Sequence, residues 1–461
     1  MLIAFIFLYI AITIGISLYA HTKIKSASDF ISAGRSLPTY INAAAFFALW
    51  FGSETIFGAS TEFLKGGFRG IIEDPFGGVL CLLLVGLIFA KKLYNLNIFT
   101  VGDVFHARMG REVEVMASAL MIVSFFGYAA AQIVALGLLF SSIFPNLGMN
   151  VGIIISAIIV VFYIFKGGML AVTLNDFVQS FFIIIGLLAI AFTVTQRAGG
   201  LNLIVDSIPK EHFRFLPERD AVSTINWLGA WMVLGFGSIV SQDIFQRVNS
   251  SKSAEVAKKS TLYGALLYGV FAFLPLYIVS AVRVIKPEVL EGDLQMALPA
   301  MVLETMPVGL QVLFFGSLIS AIMSTCSGAL LAPATLLSEN ILSINDEESK
   351  LLNKTKLSII VVGIISTLLA FSSQNIFELV SESSVFGLVS IFVPFCAILF
   401  TNYKSKVGTI LSMLGGTLVW IYCAFIKESL INPLVFGVLA SLLGLFAGIA
   451  IDRIASNSDK D

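Results

Sequence analysis

Long apolar runs recur along the whole sequence, and they determine the solvent in which the chain can fold. A helix that crosses a bilayer needs about 20 mostly apolar residues. Such runs occur near 1–20, 40–64, 71–90, 113–144, 150–165, 171–196, 224–243, 260–284, 306–340, 353–373, 377–400, 406–425 and 431–452. They predict an all-α polytopic membrane protein with about thirteen transmembrane helices. Of the 461 residues, 57% are hydrophobic and only 12% charged, against about 25% charged in soluble domains. A soluble fold of this length has no core large enough for so much apolar surface, so lipid must cover part of it. The net charge of −1 argues against a nucleic-acid partner, which is usually met by a basic patch.

Lys and Arg set the expected orientation. With the N-terminus outside, nineteen of the 28 fall on the inner side, among them Lys23, Arg35, Lys91, Arg111, Arg247, Lys259, Lys354, Lys406, Arg453 and Lys460. An odd number of spans then puts the C-terminus in the cytoplasm, followed after Ile451 by a short polar tail. The stretch from Leu2 to Ala20 lacks a basic leader and is too long for a signal core, so it reads as an uncleaved span. Cys81, Cys326, Cys396 and Cys423 all lie in apolar runs without a paired spacing and read as packing residues. His21, His106 and His212 read as solvated loop side chains.

Three spans break the apolar rule. The second contains Ala48-Leu49-Trp50-Phe51-Gly52-Ser53-Glu54-Thr55, and the seventh contains Gly235-Phe236-Gly237-Ser238 followed by Ser241-Gln242-Asp243. Glycine weakens a helix by about 1 kcal/mol relative to alanine. An unwound span frees carbonyls that hydrocarbon cannot satisfy and that a cation or solute can. Small residues that let helices pack closely would give the same composition. The two breaks lie five spans apart, as expected if spans two to six and seven to eleven are inverted repeats. In the ninth span, Ser317, Ser320, Ser324 and Ser327 share one helical face. Their hydroxyls suit a hard cation, or they bond to carbonyls of their own helix. Among the intramembrane acids Glu54, Glu73, Asp74, Asp176 and Asp243, each a functional candidate by its burial alone, Glu54 is placed deepest. Glu73 and Asp74 fit either a functional site or a solvated span entrance, and Asp176 fits a helix N-cap.

Four segments resemble the sodium/solute symporter family: Gly34-Arg35-Ser36-Leu37-Pro38; Lys166-Gly167-Gly168-Met169 through Asn175-Asp176-Phe177-Val178-Gln179; Phe245-Gln246-Arg247-Val248; and Ser320-Ala321-Ile322-Met323-Ser324-Thr325. The resemblance covers essentially the whole chain. It implies a LeuT-type 5+5 inverted-repeat core of spans two to eleven within one transporter domain, 1–461. The repeats would be 40–196 and 224–400, with 401–461 as peripheral helices and tail. It also implies a sodium site built from the carbonyls of Ala48, Phe51 and Ala321 and the hydroxyls of Ser324 and Thr325. Asp176 and Glu54 are further candidates for sodium coupling, or for proton coupling at Glu54. The resemblance implies sodium as the coupling ion and no other cofactor.

The choline-transporting branch is the most similar in Ala48-x-Trp50-x-Gly52, Phe89-Ala90-Lys91, His106-Ala107-Arg108-Met109-Gly110 and Phe245 to Ser251. Trp50 and Tyr128 fall on two positions of that branch's aromatic cage, which suits a quaternary ammonium group. The other two positions hold Gly77 and Ser241. Asp74 and Ser241 align with sugar contacts of the sugar branch. The expected solute is a small organic amine or zwitterion held by Trp50, Asp74, Tyr128, Ser241 and Gln242, with a sugar, sugar acid or proline-like amino acid as the alternative. No metal-ligand set, nucleophile–base arrangement or phosphate-cradling loop points to an enzyme. A sensor and a channel are weaker readings.

Overall fold

The computed structural model describes residues 2–343, 348–427 and 429–458; Lys460 lies outside them. Eight helices position the site: α1 (Thr39–Trp50), α2 (Arg111–Ile143), α3 (Met149–Arg197), α4 (Ala221–Gly237), α5 (Gln242–Ser250), α6 (Ala254–Phe271), α7 (Val308–Leu336) and α8 (Ile376–Gly387). Among the described residues there are no strands, only one isolated parallel bridge between Leu37 and Ser251. Ten described helices are long and apolar enough to cross a membrane, and three shorter apolar ones cover Phe7–His21, Thr39–Trp50 and Met149–Phe162.

Burial sorts these helices into centre and periphery. In the span Val308–Leu342, 67% of the most apolar window is buried inside the protein, against 28% in Pro433–Ile454. α1 packs between α3, α6 and α7. The outward faces carry large apolar side chains, such as Ile185 and Phe192 on α3 and Leu443 and Phe446 near the C-terminus. Hydrocarbon is the only solvent in which such surfaces are stable.

Both expected breaks are present. α1 ends at Trp50, because Phe51 leaves the helical region at φ −85°, ψ 66°. Helix resumes in a π-helical turn, Glu54–Gly58. α4 runs through a 3₁₀ turn, Ser238–Val240, into Ser241, which is extended at ψ 131°, and α5 starts afresh at Gln242. The loop before α1 is tied to the end of α5: Leu37 N–H donates to Ser250 O at 2.9 Å and Lys252 N–H to Leu37 O at 3.0 Å. Asn42 Nδ2 adds bonds to Arg247 O and Ser251 Oγ, at 2.9 and 2.8 Å. Two of the family-like segments therefore hold each other.

Three expectations are corrected. Asp176 is no N-cap; it sits inside α3, eight positions beyond the interruption at Gly168. Asp74 is fully buried, so it is not at a solvated span entrance. His212 is no solvated loop side chain; it is 9% exposed and its ring meets Phe63 edge-on.

Gly168 joins the two arms of α3 at φ +52°. A Cβ there would lie 2.6 Å from Phe30 O. Gly168→Ala is expected to lower stability by about 1–3 kcal/mol through left-handed strain, read as a lower melting temperature of the detergent-solubilised protein; an unchanged melting temperature would contradict this.

Candidate functional site

The end of α1 leaves carbonyls without helical donors, and α7 answers them. Thr325 Oγ1 lies 3.1 Å from Ala48 O, 3.2 Å from Leu49 O and 3.2 Å from Ala321 O of its own helix. The approach requires Gly52, where a Cβ would stand 2.8 Å from Thr325 Oγ1 and 2.9 Å from Glu54 Oε2. Ala48, Ala321 and Thr325 thus come together. Phe51 is the residue at which helical dihedrals stop, and its N–H still donates to Phe47 O at 3.0 Å.

Ser324, one residue earlier on α7, reaches a different partner: its hydroxyl donates to Asp176 Oδ1. The other carboxylate oxygen of Asp176 pairs with Arg247 Nη2 at 3.1 Å, and both side chains are fully buried. Arg247 also donates from Nε to Ala45 O at 3.0 Å and from Nη1 to Asp243 O at 3.4 Å. One ion pair therefore joins α1, α3, α5 and α7. The remaining serines of that face bond within their own helix: Ser317 to Phe314 O, Ser320 to Gly316 O and Ser327 to Ser324 O, at 2.7, 2.6 and 2.6 Å. Ser324 donates across to Asp176 on α3.

On the other flank of the break, Glu54 Oε2 accepts from Gln132 Nε2 at 3.0 Å, while Gln132 Oε1 accepts from Ser53 N–H at 3.1 Å. Asp74 accepts from Thr55 Oγ1 at 2.9 Å and from the hydroxyl of Tyr268. Gln132 and Tyr268 were not among the expected site residues. The available signal was a lone amide inside the apolar run of α2 and a tyrosine inside that of α6.

A narrow cavity of about 60 Å³, partly open to solvent, lies beside the breaks. Trp50, Glu54, Tyr128, Ser241 and Asp243 contribute to its wall, together with Phe125 and Ser384 of α2 and α8. Trp50 is 6% exposed and its Nε1–H has no acceptor. Tyr128 donates to Leu49 O at 3.4 Å. Two expected solute contacts are elsewhere. Asp74 is held by Thr55 and Tyr268 and is not in the wall. Gln242 accepts from Val101 N–H at 2.8 Å and donates to Phe99 O at 3.1 Å, which fastens the loop before Val101.

A family model described as the sodium:solute symporter family matches residues 30–418. The high-affinity choline transporter 1 of Caenorhabditis elegans is 26% identical over 454 residues, covering 90% of this chain and 77% of its own. Its human counterpart is 26% identical over 441 residues, covering 90% and 75%. Among solved structures, a Na+-coupled sialic acid symporter in a substrate-bound outward-open state matches with a TM-score of 0.82 at 21% identity, covering 98% of each chain. That likeness establishes a fold of the LeuT type.

Removing one partner of a buried ion pair strands the other charge, at about 3–5 kcal/mol. Arg247→Met is therefore expected to melt well below the wild type. Arg247→Met combined with Asp176→Asn is expected to recover part of the loss. Additive losses in this double-mutant cycle would show that the pair is not coupled.

Proposed function

We propose, from the premise that the chain belongs to the sodium:solute symporter family, that it imports a small organic solute by sodium-coupled alternating access. As a family member it is a multi-pass membrane transporter and not an enzyme. The observation that supports the sodium reading best is the convergence of Thr325 Oγ1 on the carbonyls of Ala48, Leu49 and Ala321 at the end of α1. Hydroxyl and carbonyl oxygens are the ligands of a hard cation. The C-terminal end of a helix also favours positive charge. In this reading Phe51 O and Ser324 Oγ complete the shell. Asp176, hydrogen-bonded to Ser324, transmits the state of the ion site to Arg247 and the second broken helix. Glu54 is the residue to test for proton coupling.

The coupling follows from the positions of the groups. An ion that drew Ala48, Ala321 and Thr325 together would hold α1 against α7. Trp50 sits one residue beyond Leu49, so the same event shapes the wall of the solute cavity. The proposed architecture has thirteen spans with the N-terminus outside and the C-terminus cytoplasmic, and repeats 40–196 and 224–400, each with a broken first helix.

For the solute we favour a small organic amine or zwitterion. Glu54 and Asp243 give the cavity wall two carboxylates, and the rings of Trp50, Phe125 and Tyr128 suit an alkylammonium group. Ser241, whose hydroxyl bonds to Asp243, adds polarity at the second break. A sugar or sugar acid is the second reading, supported by the serines of the wall and opposed, for an acid, by the same carboxylates.

The test is uptake into proteoliposomes with an imposed sodium gradient, comparing labelled choline, glycine betaine, proline, glucose and sialic acid. Accumulation of an amine or zwitterion only with inward sodium is expected. Trp50→Ala should lower its uptake at least 10-fold, and Thr325→Ala should raise the sodium concentration for half-maximal uptake at least 10-fold. Sugar uptake indifferent to Trp50→Ala would overturn the solute assignment. Sodium dependence unchanged in Thr325→Ala would overturn the ion site.

A further inference from the structure

The N-terminal helix, Leu2–His21, lies outside the proposed repeats, and its composition is that of a plain apolar span. Three polar residues interrupt it. Tyr9, Thr13 and Ser17 follow one another at intervals of four and so share one helical face. They are 4%, 1% and 1% exposed, while Phe7, Leu8, Ile12, Leu18 and Tyr19 face outward. In lipid a polar face turns inward, and what it meets there decides whether the helix is scaffold or part of the machinery.

Thr13 bonds within its own helix, to Tyr9 O at 3.0 Å. The Tyr9 hydroxyl reaches two other helices. It accepts from Gln179 Nε2 of α3 at 2.8 Å, and Ser320 of α7 is within its hydrogen-bonding reach. The hydrogen of Ser320 already goes to Gly316 O, so Tyr9 donates and the serine oxygen accepts. Phe182 meets the tyrosine ring edge-on at 6.2 Å. Gln179 and Ser320 are 1% and 0% exposed, so the bonds are shielded from solvent.

This contact lies one helical turn from the buried ion pair. Asp176 of α3 accepts from Ser324 of α7. Gln179 stands three positions after Asp176, and Ser320 four positions before Ser324. Farther along, α3 meets α7 again at Gly186, where a Cβ would lie 2.8 Å from Ser317 Oγ. The two helices thus touch directly at Asp176–Ser324 and at Gly186–Ser317. Between those contacts the bridge is a tyrosine from a third helix. The turn of α7 that Tyr9 holds carries Ala321 and Ser324, and Thr325 follows it.

We propose that Tyr9 is a positioning residue for the sodium site: its hydroxyl fixes the spacing of α3 and α7 at the turn that carries Ala321 and Ser324. This role presupposes the sodium site at Thr325. Tyr9 touches no ion. Ser324 is shared between Asp176 and the ion shell, so the place of its oxygen depends on how far α3 stands from α7. Groups of a binding site have to be held to within about 0.5 Å, and hydrogen bonds behind them do the holding. Without the Tyr9 hydroxyl, Gln179 Nε2 loses its acceptor, Ser320 loses a donor, and the spacing is no longer fixed. The N-terminal helix thereby belongs to the machinery of ion binding.

The test is equilibrium binding of ²²Na⁺ to the purified full-length protein at constant ionic strength, with the melting temperature in KCl as the measure of the fold alone. Tyr9→Phe keeps the ring and removes the hydroxyl. It is expected to weaken sodium binding roughly 3- to 10-fold, the size of one neutral hydrogen bond. Gln179→Met is expected to do the same, and it answers for Tyr9→Phe should that variant fold poorly. The two together are expected to cost no more than either alone. Thr13→Val, on the same buried face, is expected to bind sodium as the wild type does. A merely structural tyrosine would lower the melting temperature in KCl and leave the sodium affinity of the folded protein unchanged. Wild-type affinity in both Tyr9→Phe and Gln179→Met would overturn the role of Tyr9 and leave the sodium site intact. An equal loss in Thr13→Val would also overturn it, since packing of the helix would then be the cause. No saturable sodium binding in the wild type would overturn this role and the sodium reading together.

Discussion

Everything central to this protein depends on a helix that stops in the middle of the membrane. Ending α1 at Trp50 exposes carbonyl oxygens where lipid offers no donors. The surrounding elements are arranged to meet that demand. α7 brings Thr325, the helix after the break brings Thr55, and α6 brings Tyr268. Gly52 admits the close approach on one side. The second break, at Ser241, is supported differently. Arg247 on α5 fills the space between α1 and α3, and its charge is balanced by Asp176.

This arrangement divides polar groups into those that hold the fold and those left with unmet capacity. Ser317, Ser320 and Ser327 bond to their own helix, and Gln242 ties down the segment before Val101. Arg247 and Asp176 neutralise each other. The oxygen cluster around Thr325 has more acceptors than hydrogens. Trp50 Nε1 has no acceptor at the cavity wall. Unmet capacity of this kind is what an ion and a solute would use. Because the Thr325 cluster includes carbonyls of the last turn of α1, an ion bound there would act on the same backbone that carries Trp50.

Much of the fold was legible because a bilayer imposes a simple rule on sequence. Apolar runs located the helices, and glycine with hydroxyl residues in mid-run located both breaks. The Ser324–Thr325 pair was legible as a polar patch, but its neighbours on the same face were not separable from it, since a serine bonded to its own helix and a serine reaching across look alike in sequence. Gln132 and Tyr268 escaped for another reason. Each sits in the apolar stretch of a long helix, and its partner lies far away in the chain: Glu54 for Gln132, and Asp74 for Tyr268. Asp74 itself was found and given to the solute, because its place in an apolar stretch was readable and its burial and direction were not. The boundary at Gly168 was legible as two spans, while its left-handed dihedral and the adjacency of Phe30 belong to tertiary structure.

The central claim is that sodium binds at the broken end of α1. A ligand that binds only the folded state raises its stability in proportion to how far it exceeds its dissociation constant. The most direct measurement is the melting temperature of the purified protein in NaCl and in KCl at equal ionic strength, for the wild type and for Thr325→Val. The account predicts that sodium raises the wild-type melting temperature above its value in potassium and that Thr325→Val loses much of the difference. Equal melting in the two salts for the wild type, or an undiminished sodium effect in the variant, would contradict it.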